Sequence, residues 1–567
     1  MELAIRKFAL QNALQHGGQG QRGAVMSRVL GTFADLRARA GDVAQRVQAV
    51  LDEVNALGPE AQRAELESSA PELLEARPAE RPGGLPDLMG AADGKVVMRM
   101  APGPSGPLHI GHARAAVLND VYVRRYRGKY ILRLEDTDPA RVTAEAYRMI
   151  QEDMEWLGCQ VHETVIQSDR FARYYEVARR LLEMGKAYVC TDPPDAWREL
   201  KEQGRPCPHR GADPAGSLEA FEAMLSGVYK AREAAVVAVT EIDHPNPALR
   251  DFPLLRIEDT PHPRTGTKYR VYPLMNFSVS VDDHDLGLTH VLRGKDHLNN
   301  THRQDFLFRY LGWRMPVYIH YGRVSVEGVE LSTSKMAAGI AAGTLAGWDD
   351  PRLGTIRALA RRGYRPESLR AYWVDAGVKE VDVVFSWKNL DAIDKKAQDP
   401  GAHRVFLVED PVPVELDVDR ELVARPPRLP SRPEAGRRVL RVGAPAGATR
   451  PRVLIPREDL EALGEGQTFR LKDLANFVLS GPGRARFESI GHEEARGAPI
   501  LHWLPDDPSQ TAEAEVVRPD GSTRQGRIER AGAESGGRVV QLERVGFARV
   551  EVEGAAAPRV RAFFLYR

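Results

Sequence analysis

Residues 99–112 read RMAPGPSGPLHIGH: three prolines and three glycines, then two histidines three positions apart. The run before it, KVVMRMA (95–101), has the composition of a short buried strand. The run after it, HARAAVLNDVYVRRY (112–126), has helical periodicity and stops at Gly128; KYILRLE (129–135) is again strand-like. Strand, loop, helix and strand within so short a span make a βαβ unit and therefore a parallel sheet. The Pro/Gly loop then lies at the carboxyl edge of the sheet, where ligands of open α/β sheets bind. The free N–H groups and positive end of the helix suit a phosphate there. Gly103, Gly106 and Gly111 allow close approach to the backbone, and Pro102, Pro104 and Pro107 stiffen it. His109 and His112 can donate hydrogen bonds to charge that builds on a phosphate. The competing reading packs His109 in the core and makes His112 a helix cap; a metal site is a third.

Outward from this unit the α/β pattern continues. TAEAYRMIQEDMEWLG (143–158) and FARYYEVARRLLEMG (171–185) read as helices and KAYVC (186–190) as a strand. Residues 192–250 are proline-rich and irregular, as an inserted subdomain would be. PLLRIE and YRVYPLMNFSVSVDD read as strands, HVLRGKDHLNNTHRQDFLFRYLGW as a strand and a helix, and 345–400 as helices. After residue 403 short strands follow one another, which points to β-barrels. Residues 1–75 are helical by periodicity, and a Pro/Gly/Ala-rich linker ends near Gly94.

The 567 residues carry 79 basic and 79 acidic side chains, so a nucleic-acid partner needs a local basic face. One candidate is 425–457, with nine arginines and one glutamate; the alternative is a solvated loop. Three cysteines make no disulfide framework, no apolar run is long enough to span a membrane, and no signal peptide is evident. A cytoplasmic protein without a membrane partner is the expectation.

The string RMAPGPSGPLHIGHARAAVLND followed by ILRLEDTDP resembles the HIGH signature of class I aminoacyl-tRNA synthetases, in the glutamyl/glutaminyl branch. ALRDFPLLRI (248–257), YPLMNFSVSVDDHDLGLTHVLRGKDH (272–297) and ELSTSK (330–335) follow in the order of that family, and the pattern is most similar to the archaeal type of glutamyl-tRNA synthetase. The resemblance implies a Rossmann-type α/β catalytic domain over 94–344 with an acceptor-binding insertion near 192–250. It also implies a helical N-terminal extension and linker over 1–93, a helical connecting domain over 345–402, and an all-β anticodon-binding domain of two β-barrels over 403–567. It implies ATP and Mg²⁺, L-glutamate and tRNA(Glu) as partners, with tRNA(Gln) as a further substrate, and a monomer.

The resemblance also supplies roles. His109, His112 and Lys335 are the catalytic candidates. Pro102, Gly103, Gly106, Gly111, Ser332 and Ser334 are the ATP-binding ones. Arg99, Ala101, Glu135, Tyr272 and Arg293 are those for glutamate, with Arg293 on the side-chain carboxylate and Glu135 on the α-ammonium. The second signature, a mobile loop in the family, is altered: Glu330 replaces the first lysine and Thr333 stands at the second. An arginine fork matches a carboxylate and not an amide NH₂, so Arg293 favours glutamate over glutamine. The rivals are a glutaminyl enzyme, a small-molecule adenylyltransferase or a paralogue lacking the anticodon domain, and a non-catalytic tRNA-binding protein with a decayed site. Cys190-x-Asp192 and Cys207-x-His209 could supply four Zn²⁺ ligands, but the cysteine pattern is incomplete; ordinary packing, with no metal, is the expectation.

Overall fold

Val97–Met100 (β1) pairs in parallel with Lys129–Leu134 (β2), Arg99 lying opposite Ile131, and β2 pairs in parallel with Glu163–Ile166 (β3). Five of the six β2 residues are buried, as a parallel strand covered on both faces requires. The crossover is the helix Ile110–Arg125 (α1); Ala144–Trp156 (α2) links β2 to β3. On the other side of β1 runs His290–Gly294 (β8), joined through a 3.0 Å bond from Thr289 N to Val97 O and paired in parallel with Val317–Tyr321 (β9). Arg99 and Arg293 therefore end neighbouring strands.

This is a computed structural model, and it describes all residues except 1, 16, 34–39, 71–83, 444–449 and 555–557. Much of the expected linker lies outside the described residues. Its last part, Leu85 and Leu88, packs in the core of the parallel sheet.

Between β3 and β8 the chain builds a four-stranded antiparallel sheet of Ala187–Cys190 (β4), Ala235–Ala238 (β5), Phe252–Ile257 (β6) and Val271–Pro273 (β7). The sheet extends beyond both ends of the segment 192–250 marked out by composition. The stretch NFSVSVDD, expected as strand, is helical: Met275–Asp285 (α3). All its residues from Phe277 to Asp283 are buried, so the alternation of Ser with apolar residues does not mark two faces of a sheet. Ser280 bonds back to Asn276 O at 2.8 Å and is satisfied within the helix. Leu298–Leu311 (α4) follows β8, and Thr333–Ala341 (α5) follows β9.

Helices Ile356–Arg362, Pro366–Ala376 and Trp387–Gln398 lead into two seven-stranded sheets. The chain opens the first sheet with Arg404–Val405 and Leu407–Glu409, builds the second over 411–505, and returns to the first over 511–566. Each has its own core, one around Trp503 and Phe477, the other around Val516 and Val550. Tyr566 bonds Asp394 at 2.8 Å and ties the C-terminal strand to the last connecting helix.

Residues 1–84 form a separate unit. The helices Glu2–Gln15, Arg22–Thr32, Ala40–Asn55 and Pro59–Ser69 enclose Ile5, Leu10, Val29, Val47, Leu51 and Leu66. Buried Gln62 donates to the carbonyls of Gly18, Val54 and Leu57 at 2.9–3.0 Å and satisfies the polar ends of three segments at once. No helix among the described residues is long and apolar enough to cross a membrane.

Candidate active site

His109 is the N-cap of α1. Its Nδ1 accepts from Gly111 N at 3.1 Å, and His112 Nδ1 faces His109 N at 3.4 Å. The two rings stack with centroids 3.7 Å apart. An imidazole that accepts at Nδ1 and stays neutral carries its proton on Nε2. Both stay neutral: desolvation lowers His112 to about 4, and desolvation with the neighbouring imidazole lowers His109 well below the ordinary range. The pair thus presents two Nε2–H donors at the positive end of a helix. Both residues are half-buried, and both take part in the cap of the helix. Gly111 makes the arrangement possible, since a Cβ there would lie 3.0 Å from His109 Cε1.

The loop is fixed from several sides. Leu108 N donates to buried Asp153 at 2.7 Å, Ile110 N to Gly354 O and Ile356 N to Leu108 O at 2.9 Å. Pro102 O accepts from Glu135 N at 3.0 Å, which sets the Pro/Gly loop against the end of β2. Gly103 packs there too, with Glu135 O 3.4 Å from where its Cβ would be. Gly106 serves contact within the protein and not phosphate approach: a Cβ there would meet Thr333 Cγ2 at 2.6 Å and Trp348 at 3.1 Å. The two signatures therefore touch.

The second signature begins a helix here, with Ser332 as its N-cap. Ser332 and Ser334 hydroxyls are 3.1 Å apart. Glu330 accepts from Ser332 N at 2.8 Å and pairs with Lys335 Nζ at 2.9 Å, so the residue that replaces the usual lysine holds the one that remains.

At the strand ends, Arg99 and Arg293 are almost fully buried and neither forms an ion pair among the described residues. The Nε of each has no partner. Arg99 reaches Leu292 O at 3.3 Å. Arg293 lies 4.5 Å over the Tyr318 ring and donates to Thr301 at 2.5 Å and Gln304 at 3.0 Å. Desolvation, opposed in part by Tyr318, pushes its pKa down to about 10. Glu135 accepts from buried Arg133 at 2.9 Å, and Arg133 is anchored on Asp283 at 2.6 Å. Burial pushes Glu135 upward, against the pull of Arg133 and Arg99. Ala101 follows β1 and is partly exposed. Tyr272 is fully buried on β7 beside Phe171 and His262, and its hydroxyl has no protein partner. Sequence reading missed Asn276, Thr301 and Gln304. Gln304 was detectable as a polar residue in register with Leu307, Phe308 and Leu311 on the buried face of α4.

The inserted sheet gathers Cys190, Asp192, Cys207 and His209, whose ligand atoms lie within 4.8 Å of one another. This corrects the expectation of ordinary packing. A tetrahedral Zn²⁺ with bonds of about 2.3 Å to sulfur and about 2.1 Å to nitrogen or oxygen sets two thiolates about 3.8 Å apart and an N,O pair about 3.4 Å apart. Here Cys190 Sγ and Cys207 Sγ are 3.7 Å apart, and His209 Nδ1 and Asp192 Oδ1 3.4 Å. His209 Nε2 meets Thr191 Oγ1 at 2.9 Å, leaving buried Nδ1 without a hydrogen bond. The four residues fit zinc.

Four of the nine arginines of the basic segment are in ion pairs: Arg438 is buried between Glu529 and Glu543, and Arg441, Arg452 and Arg457 pair with Glu421, Asp506 and Asp410 at 3.0, 2.8 and 2.9 Å. Arg425, Arg432, Arg437 and Arg450 are exposed.

Comparison with known proteins agrees with this geometry. The catalytic-domain profile of the class I tRNA synthetases (E and Q) matches residues 95–400, and the anticodon-binding-domain profile of the same group matches 402–486. A glutamate–tRNA ligase of Methanothermobacter thermautotrophicus is 47% identical over 558 residues, covering 98% of each chain. One of Methanopyrus kandleri is 47% identical over 556 residues, covering 96% of each. A solved glutamate–tRNA synthetase of Elizabethkingia anophelis aligns at 21% identity and a TM-score of 0.39, over 53% of this chain and 70% of its own. With catalytic and anticodon profiles matching in tandem, the chain belongs to the class I tRNA synthetases of the glutamate and glutamine group.

Proposed function

We propose that the protein ligates L-glutamate to tRNA at the expense of ATP. The observation that carries the choice of amino acid is the charge of the pocket. Two buried arginines, Arg99 and Arg293, have no carboxylate partner, and the facing acid is Glu135. Two cations and one anion complement a substrate with two carboxylates and one ammonium. Glutamine would leave one buried guanidinium uncompensated, a costly arrangement. Glu330 and Thr333 are the one support for a decayed site, and against it Lys335 is present and accessible.

The chemistry needs positioning more than covalent participation. Glu135 holds the α-ammonium, Arg293 the side-chain carboxylate and Arg99 one oxygen of the α-carboxylate, whose other oxygen is left free to react. That oxygen attacks the α-phosphorus of ATP, and the bond to the β-phosphate breaks to release pyrophosphate. His109 and His112 donate through Nε2–H to the oxygens that gain charge, and Lys335 leaves Glu330 to pair with the departing pyrophosphate. The 3′-terminal ribose hydroxyl of tRNA then attacks the acyl carbon and AMP leaves. Mg²⁺ enters with the nucleotide. Cys190, Asp192, Cys207 and His209 would hold a Zn²⁺, which would tie the start of the inserted segment to the end of β4.

The C-terminal sheets receive the anticodon and the inserted sheet the acceptor end. We infer a monomeric, cytoplasmic enzyme that charges tRNA(Glu) and also tRNA(Gln). Charging of separate tRNA(Glu) and tRNA(Gln) transcripts with labelled glutamate tests this. Glutamate on neither transcript refutes the ligase reading; glutamate on tRNA(Glu) alone removes the second tRNA.

A further inference from the structure

Two buried arginines of this protein meet carboxylates: Arg133 pairs with Asp283 and Glu135, Arg438 with Glu529 and Glu543. Arg114 and Arg362 are held by neutral oxygens instead, on the backbone carbonyls of Gly322 and Gly377 and on Tyr364 and Leu565. Arg293 is of the second kind, but it stands in the pocket. The groups that hold its guanidinium are the Thr301 hydroxyl and the Gln304 side-chain amide, both neutral. Gln304 is fully buried, so the amide is there in place of solvent and in place of an acid. Its orientation is over-determined. Oε1 accepts from Arg293 at 3.0 Å and lies 3.2 Å from the Tyr318 hydroxyl; Nε2 donates to Asn276 Oδ1 at 3.3 Å. Tyr318 stacks on Arg293 and also reaches Asp283 at 3.3 Å, which anchors Arg133 and through it Glu135. The two ends of the pocket are thus set by one network, and within it Gln304 is the member that accepts a hydrogen bond from Arg293.

We propose that Gln304 is a specificity-determining positioning residue, whose neutral amide fixes the Arg293 fork while leaving its charge unspent for the side-chain carboxylate of the substrate. A glutamate at this position would fit the same space and supply the counter-charge internally. The arginine would then discriminate weakly between a substrate carboxylate and a substrate amide. The inference rests on the reading of Arg293 as the side-chain carboxylate site, and the test separates the two.

Glutamate KM, ATP KM and the inhibition constant of glutamine are measured for wild type, Gln304→Glu and Gln304→Asn, with thermal melting alongside. Wild type must charge glutamate; if it does not, the parent reading has failed, and the variants are not the cause. Gln304→Glu is expected to raise the glutamate KM about 100-fold and to move the glutamine constant less than about 5-fold, with ATP KM unchanged. Gln304→Asn withdraws the amide by one methylene without adding charge. It should raise the glutamate KM about 10-fold, and carries the test alone should the charged variant not fold. An unchanged glutamate KM in the variants that fold overturns the proposal. So does an equal rise for glutamate and glutamine in Gln304→Glu, the signature of a purely structural role.

Discussion

Arg293→Ala isolates the group that the pocket devotes to the substrate side chain. Arg293 is 7% exposed, its Nε has no partner, and among the described residues it forms no ion pair, Asp283 and Glu135 acting on it only from a distance. Truncation therefore deletes a desolvated, two-pronged pair and leaves a substrate carboxylate buried without a counter-charge. Losses of this kind run to about 4 kcal/mol, or roughly 10³-fold in kcat/KM. The loss belongs in the glutamate KM, because the side-chain contact is made before and during the reaction alike. The ATP KM should hold within about 3-fold, since the His109–His112 pair is fixed by its own loop. Arg293→Lys keeps a point charge but not the fork and should recover about one order of magnitude. Initial rates of aminoacylation over a glutamate series at saturating tRNA and ATP give these constants, and thermal melting checks the fold. An unchanged glutamate KM in a folded Ala variant would refute the assignment.

Other outcomes follow from the same geometry. Gly106→Ala should lower kcat roughly 10–100-fold at nearly constant melting temperature, because its Cβ would meet Thr333 Cγ2 at 2.6 Å and part the two signatures; an unchanged kcat contradicts that contact. His112 is lowered from 6.5 to about 4 in the fold, so between these pH values the unfolded chain binds the extra proton and stability falls as pH falls. Acid melting curves of His112→Asn should be correspondingly flatter, and an identical slope would mean that His112 is not desolvated. Elemental analysis of the purified protein should find one zinc per chain. Asp192→Ala and chelation should each lower both the metal content and the melting temperature; a metal-free, equally stable preparation would remove zinc.

Much of this was legible in the sequence because the decisive signals are local. Pro102, Gly103, Gly106 and Gly111 between two apolar runs announce the loop, and the change to short strands after residue 403 announces the C-terminal sheets. Arguments from period failed where burial is all-round: NFSVSVDD alternates like a strand, yet α3 is enclosed on every side, and nothing in a one-dimensional pattern records that. Gly106 was assigned to phosphate approach because a sequence shows that a Cβ is missing and not what fills the space. Arg438, Arg441, Arg452 and Arg457 could not be told from the other arginines of 425–457, because their carboxylates, from Asp410 to Glu543, are remote in sequence. Zinc was discounted because Asp192 stands where the pattern would have a cysteine; whether a carboxylate serves there is a matter of distances to Cys190, Cys207 and His209, which only the folded sheet supplies. Gln304 was passed over because a lone amide on an amphipathic helix carries no motif.

The central claim is that a pocket with two unpaired arginines and one glutamate selects a substrate with two carboxylates. The most direct measurement is charging of total tRNA with labelled glutamate and labelled glutamine in parallel, with ATP and Mg²⁺. The account predicts glutamyl-tRNA and no glutaminyl-tRNA above background. Glutaminyl-tRNA as the main product would leave the fold standing and contradict the role given to Arg293.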